Sequence, residues 1–317
     1  MSRNKLPKSP VTGNSNVDKC DSIAVVDIVR LYNEQEGLDV ERFFSHGEVV
    51  EILECEDTGY RFYYPFGTAG DEKFYQDLGT NAAKNGNDYD RDWSDDHSIA
   101  KDYILPGDSL LEVGCNTGKF LSRISATTPN VRGLEFNEVA AATARRKGLD
   151  VLDASIENYA EENPDCHDVV CAFQVLEHIT TVRSFLDASL KSLRPGGRLI
   201  FSVPNSDPYF QRHNKYDVMN LPPHHVGLWR LEAFAKLGGF FDMDLVDYGY
   251  SGLTSIKGDI YLRARSLAGI KSLPRKHSAI ERILMLAVAP VALAGSCFAL
   301  VAGKANYAHI TVVFKKR

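Results

Sequence analysis

The stretch LLEVGCNTGKFL, Leu110 to Leu121, joins an apolar run to a turn holding Glu112, Gly114, Cys115, Asn116 and Gly118. Glycines directly after a strand-like run let a ligand approach the backbone closely. A pyrophosphate would call for GxGxxG at a helix N-terminus. Here the two glycines stand four apart, and the Glu112 carboxylate precedes the first by two residues. A carboxylate there opposes a phosphate and suits a cation. S-adenosylmethionine is such a ligand: it carries an ammonium and a sulfonium, lacks phosphate, and its own carboxylate can use the amides that open the next helix.

Other residues fit the same ligand. Glu135, in GLEFN, lies 21 residues after Gly114, where a strand-end acid can accept hydrogen bonds from both ribose hydroxyls. Methyl transfer is an in-line displacement at an activated carbon, so the protein must align the two partners and remove a proton if the nucleophile is a hydroxyl. Histidine suits that near neutral pH. Three histidines are candidates: His178 in LEHI, and His224 and His225 in PPHHVGLW, with His225 preferred. The alternative for each is a structural role satisfying loop backbone. None of the six scattered cysteines forms a CxxC pair, so reduced thiols in a cytoplasmic protein are expected, and no metal site is assigned.

These residues need a frame, and from Asp108 onward the pattern supplies one. Short β-branched runs (SLLEV, VRGLEF, LDVLDA, DVVCAF, GRLIFSVP) alternate with helical stretches from Thr117, from Glu138 and over 181–193. Asn137 can cap the second helix and Gly148 can end it in a left-handed turn. RPGG at 194–197 marks the next boundary. Serial strand–helix units imply a parallel sheet with right-handed crossovers and helices on both faces, binding ligands beyond the strands' carboxyl ends. Residues 205–229 form a long irregular excursion, the usual form of a binding loop or lid. Before Asp108, VVEILECEDTGYRFYYP reads as a hairpin turning at Asp57-Thr58-Gly59.

At this point the sequence resembles the class I S-adenosylmethionine-dependent methyltransferases, from about Tyr89 to Asp247 and again over the last strand, AHITVVF. LEVGCNTGKF resembles the family's first motif, with Asn116 in place of a more usual glycine; asparagine tolerates left-handed backbone better than most residues. The resemblance implies a Rossmann-like α/β fold with a seven-stranded sheet, and S-adenosylhomocysteine as product. It implies Glu112 near the methionine ammonium and cofactor room at Gly114 and Gly118. It sets Glu135 at the ribose, counts Phe136 among the cofactor-binding residues, and sets Asp153 and Ala154 at the adenine and Phe173 and Gln174 at the methionine end. For His178 it implies a structural role after the fourth strand. Tyr75, Tyr89 and Trp93 would close over the cofactor or simply pack on the core. SPVTG (9–13) and CEDTG (55–59) resemble the two knuckles of a zinc ribbon, but Cys55 is the lone thiolate, and one thiolate cannot hold structural zinc.

The expected organisation is a ribbon-like β appendage at 1–70, a helical cofactor-covering segment at 71–107, and the catalytic domain at 108–317 with an apolar insertion at 278–305. Residues 283–303 carry no charge over 21 positions, a length that permits a membrane span. Pro290 and Gly295 are expected to break the run, and the final strand must return to the same side. A helical hairpin or interfacial segment is therefore expected, in shallow contact with a membrane or lipid substrate, rather than a span or an oligomer-forming helix. From Leu262 onward ten basic residues face one acid, Glu281, although the whole chain carries −6. That acidic total argues against nucleic acid as a partner. The expected activity is methylation, on oxygen before nitrogen or carbon, of a small-molecule, glycan or lipid-linked acceptor. A nicotinamide-dependent oxidoreductase and a non-catalytic S-adenosylmethionine-binding module are the alternatives.

Overall fold

The computed structural model describes residues 6–44, 47–84, 93–206, 217–253, 256–270, 279–301 and 307–317. Tyr89, the centre of the 205–229 loop and both ends of the 278–305 insertion lie outside the described residues. After Asp108 the β-branched runs become strands: β4 (Leu110–Val113), β5 (Val131–Leu134), β6 (Asp150–Leu152), β7 (His167–Phe173) and β8 (Leu193–Pro204). With β10 (Met243–Leu253) and β11 (Tyr307–Lys316) they form one seven-stranded sheet in the order β10-β11-β8-β7-β4-β5-β6. The five strands β4 to β8 pair in parallel, and β11 lies antiparallel between β8 and β10. The chain runs outward from β4 to β6, then restarts at β7 on β4's other side. The reversal of strand order therefore falls between β4 and β7, and a crevice opens beyond their carboxyl ends.

The connecting helices begin where their caps allow. Helix α4 (Lys119–Ile124) starts two residues later than expected, because Gly118 holds the left-handed conformation that precedes it. Helix α5 (Glu138–Arg146) is capped by Asn137, whose side chain accepts from the Ala140 amide at 3.0 Å. Ser155 caps α6 (Ile156–Glu162) in the same way. Helix α7 (Val182–Ser192) passes directly into β8 at Leu193. The expected break at RPGG is thus absorbed into the strand start, with Gly196 left-handed and a register shift against β7.

A second sheet of four strands, β1 (Val17–Ala24), β2 (Val49–Cys55), β3 (Arg61–Tyr64) and β9 (Gly227–Leu228), is antiparallel throughout. The expected hairpin is β2–β3. Strand β1 and helix α1 (Val25–Glu36) were not legible in the sequence. The fourth strand comes from the end of the long loop, so the appendage sheet is completed by the chain that follows β8. Gly227 is required there, since a Cβ would stand 2.3 Å from the Tyr60 hydroxyl. Trp229, fully buried, stacks on Phe234 of α8 (Leu231–Lys236) and leans on Tyr60 at 4.3 Å, fastening the loop end to both sheets. The turns at 9–13 and 55–59 meet, with Thr12 Oγ1 3.7 Å from Cys55 Sγ.

The insertion departs from expectation. It is one continuous helix, α10 (Ala279–Val301), running through both Pro290 and Gly295. Its hairpin partner is the preceding helix α9 (Ile256–Leu267), which packs along it. The run survives its breakers because α10 buries Ala292 and Ser296, and Gly295 lets Arg263 of α9 approach so closely that a Cβ would sit 3.1 Å from its guanidinium. The outer face stays open: Leu286 is 72 % and Phe298 73 % exposed. Among the described residues, no helix is long and apolar enough to cross a membrane.

Candidate functional site

The turn after β4 is built from left-handed residues. Gly114, Asn116 and Gly118 all have positive φ, at 73°, 48° and 72°. The glycines are needed for packing as well as for conformation. A Cβ on Gly114 would meet Val175 at 2.6 Å, and one on Gly118 would meet Leu149 at 2.3 Å. Cys115 turns inward beneath β5, where Gly133 makes room for its sulfur. Burial, with Glu112 and Glu135 nearby, raises its thiol pKa well above the ordinary range, so this thiol is not a nucleophile.

Glu135, just past the end of β5, accepts the Asn116 amide at 2.8 Å and the Asn137 amide at 2.7 Å. One carboxylate thus clamps the turn to the start of α5. It is half-buried, so its remaining lone pairs stay accessible. Glu112 differs. It is 4 % exposed, Oε2 has no hydrogen-bond partner, and burial together with Glu135 pushes its pKa well above the usual carboxyl range. A buried acid with an unmatched oxygen beside a second acid is a cost that a bound cation removes. Asp153 and Phe136 lie exposed, Ala154 half-buried, along the strand ends on the β5–β6 side. These residues follow the ends of neighbouring strands in chain order.

On the β7 side, Phe173 meets His97 and Phe120 edge to face, and Gln174 (φ 56°) turns the chain. The Gln174 side chain is engaged by Ser202 at 3.2 Å and Asp96 at 3.5 Å. Asp96 belongs to α3 (Asp95–Lys101), is buried, and also bonds Ser251 and lies 3.6 Å from His309. Trp93 covers Phe120 and takes Arg123 over its ring. Tyr75, of α2 (Glu72–Lys84), points elsewhere, its hydroxyl reaching His178 Nδ1 at 3.1 Å and the His224 carbonyl at 3.2 Å.

The three predicted histidines, 46 residues apart in sequence, converge. Their rings sit 4.4 to 4.9 Å apart. His178 follows Val175, the residue against Gly114, by three positions, which puts the group beside the turn. His178 Nδ1 is 2.6 Å from the His224 carbonyl oxygen, an acceptor only, so Nδ1 carries the proton and Nε2 keeps its lone pair. Burial lowers the His178 pKa to about 4 and those of His224 and His225 well below the ordinary value, neighbouring imidazoles adding to the effect. Glu177 escaped the sequence reading. It is buried, neither oxygen has a hydrogen-bond partner, and Oε1 lies 3.8 Å from His178 Nε2 and 3.9 Å from His225 Nε2. Burial pushes its pKa to about 8. Adjacency to His178 in LEHI was the available signal. Asp96 and His309 had none, since they come from distant segments.

Comparison with known proteins bears on the family and the fold. The pattern of the methyltransferase domain family matches residues 86–246, half of the chain. The chain belongs to the methyltransferase domain family. The ubiquinone biosynthesis O-methyltransferase of Vibrio atlanticus is 36 % identical over 107 residues, 32 % of this chain and 45 % of that protein. The protein of the same name from Pseudomonas savastanoi pv. phaseolicola is 32 % identical over 166 residues, 47 % of this chain and 72 % of the relative. The chain therefore spans less than half of the first relative and nearly three quarters of the second. Among solved structures, a chain in the complex between the Haloferax volcanii Trm112 methyltransferase activator and a methyltransferase superposes with a TM-score of 0.50 at 14 % identity, over 74 % of this chain and 93 % of that one. That likeness shows the fold alone. The family's cofactor is S-adenosylmethionine, and the unmatched buried Glu112 is the observation in this chain that fits it.

Proposed function

We propose that this methyltransferase moves the methyl of S-adenosylmethionine to a hydroxyl oxygen of a small, lipid-linked acceptor. The observation that carries the reading is Glu112: a buried carboxyl with an open oxygen, at the switch in strand order, inside a turn without phosphate-binding spacing. Glu112 takes the methionine ammonium, and Glu135 takes the ribose while bracing the turn. Phe136, Asp153 and Ala154 border the adenine; Gly114, Cys115, Asn116 and Gly118 supply the backbone; Phe173 and Gln174 flank the methionine end. When bound, the cofactor supplies a methyl activated by its sulfonium. The acceptor hydroxyl would give its proton toward the histidine group, where buried neutral His225 stands beside Glu177. Tyr75, His178 and His224 hold that group in place.

The two relatives named for ubiquinone biosynthesis support an acceptor with an aromatic hydroxyl and an isoprenoid tail. The exposed apolar face of α10 supports peripheral contact with the membrane that holds such a tail. The same reading keeps the division into an appendage at 1–70, a covering segment at 71–107 and a catalytic domain from 108, with 205–229 facing the acceptor. The test is turnover: labelled S-adenosylmethionine with prenylated catechols in detergent, the product oxygen located by mass spectrometry. Label on that oxygen supports the reading. Cofactor binding with no transfer to any hydroxylated acceptor refutes it.

A further inference from the structure

We propose that His178, His224 and His225, together with Glu177, form a binding site for one divalent transition-metal ion of the zinc or iron(II) kind on the acceptor side of the crevice. The inference rests on the reading of that side as the place of the acceptor hydroxyl. One ring nitrogen from each histidine lies within 4.8 Å of the others. Three imidazoles and one carboxylate make a borderline-soft set that suits zinc, iron or cobalt better than magnesium or calcium. Binding would draw the nitrogens together to about 3.3 Å, the edge of a tetrahedron at zinc–imidazole bond length.

Three features separate this group from ordinary packing. First, Glu177 is 1 % exposed with neither oxygen hydrogen-bonded, and its Oε1 lies 3.8 and 3.9 Å from the Nε2 atoms of His178 and His225. Those gaps exceed a hydrogen bond yet leave room for an ion to sit between the groups. Second, His224 Nδ1 is also buried without a partner. A self-satisfied cluster would have paired these atoms with each other. Third, the outer support that orients metal-bound imidazoles is present: His178 Nδ1 donates to the His224 carbonyl, and the Tyr75 hydroxyl donates to the same oxygen. The Val226 amide donates to the Glu177 carbonyl at 2.9 Å, locking the two ligand-bearing segments together. An ion here would take up the His225 lone pair and, in place of that ring acting as base, would ease ionisation of the acceptor hydroxyl by its charge.

The experiment uses the full chain, stripped with chelator and dialysed against Zn2+ or Co2+, with bound metal measured by mass spectrometry and Co2+ also by visible absorption. One ion per chain is expected, with the absorption of a nitrogen-ligated site. Glu177→Gln and His225→Gln should each weaken binding at least about ten-fold. Unchanged S-adenosylhomocysteine affinity in both variants shows that they fold. No uptake by the stripped wild type overturns the proposal. So does equal uptake by both variants, which would put the ion on surface thiols. Failure of the methyl-transfer reading would look different: stoichiometric metal binding without turnover. Full turnover by metal-free protein in chelator would remove the site and leave the transfer standing.

Discussion

Replacing Glu135 by Gln separates bracing of the turn from binding of the cofactor. The carboxylate accepts two backbone amides, from Asn116 at 2.8 Å and Asn137 at 2.7 Å. Glutamine offers one oxygen, so one amide keeps a neutral partner and the other meets an NH2 group that cannot accept. Hydrogen bonds to a charged group contribute about 1.5–3 kcal/mol, and a neutral one nearer 1. Because Glu135 is half-buried and solvent can partly replace the lost bond, the net cost to folding should be about 2 kcal/mol. Cofactor affinity should fall further than stability alone requires. The variant loses the ribose acceptor and also releases Asn116 from its left-handed conformation, so S-adenosylhomocysteine should bind about 10- to 100-fold more weakly, or 1.4–2.8 kcal/mol. Calorimetry gives the affinity and urea denaturation the stability. Lower stability with unchanged affinity would show that the carboxylate serves only as a brace. Unchanged values in both would refute the reasoning about the turn.

The other predictions concern separate parts of the molecule. Gly118→Ala forces an alanine to φ 72° with its Cβ 2.3 Å from Leu149; it should cost at least about 1–2 kcal/mol of stability by urea denaturation. His167, buried between the Tyr159 hydroxyl and Ser109, has its pKa lowered by burial from 6.5 to about 4. The unfolded chain therefore binds the proton first, and the contribution of the neutral ring, present above pH 6.5, is lost as pH falls through 4. Across that window wild type should lose about 3 kcal/mol more than His167→Gln in paired denaturation series. Leu286→Glu with Phe298→Glu, both on the exposed face of α10, should abolish flotation with anionic vesicles while S-adenosylhomocysteine affinity stays at the wild-type value.

The half of the fold that holds the cofactor was legible because its signals are local. LLEV, VRGL and DVVCAF are short, largely buried runs that repeat at the spacing of strand–helix units, and Asn137 caps its helix as its type allows. Position along such a sheet follows from order along the chain, so Glu112 and Glu135 land at neighbouring strand ends. The appendage was only partly legible. Val17–Ala24 has one buried residue in eight, so its strand carries no clear alternation, and α1 follows it without a side-chain cap. Pro290 misled for another reason. Its cost is local, but the packing of α10 on α9 that outweighs it comes from residues such as Arg263 and Gly295, more than thirty positions apart.

The acceptor side shows why sequence order fails where chemistry is assembled across layers. His178 arrives from the parallel sheet and His224–His225 from the long loop. Tyr75 comes from the segment before β4. What brings them together is the N-terminal appendage: the Tyr32 hydroxyl of α1 lies 2.8 Å from both the Val218 and Leu221 carbonyls, Tyr63 of β3 donates to the Asn220 carbonyl at 2.9 Å, and Gly227–Leu228 pairs with β3. The appendage thus acts as a template that fixes the loop, and the loop presents the imidazoles to Glu177. Changes in the cofactor turn should then move affinity for the nucleoside alone. Changes at Tyr32 or Tyr63 should move the histidine group without touching the turn, because the hydroxyls of those tyrosines meet the 218–224 segment. On the proposed reading the division of labour is physical: rigid strand ends would hold what every turnover shares, and a loop pinned by a separate small core would hold what sets the acceptor.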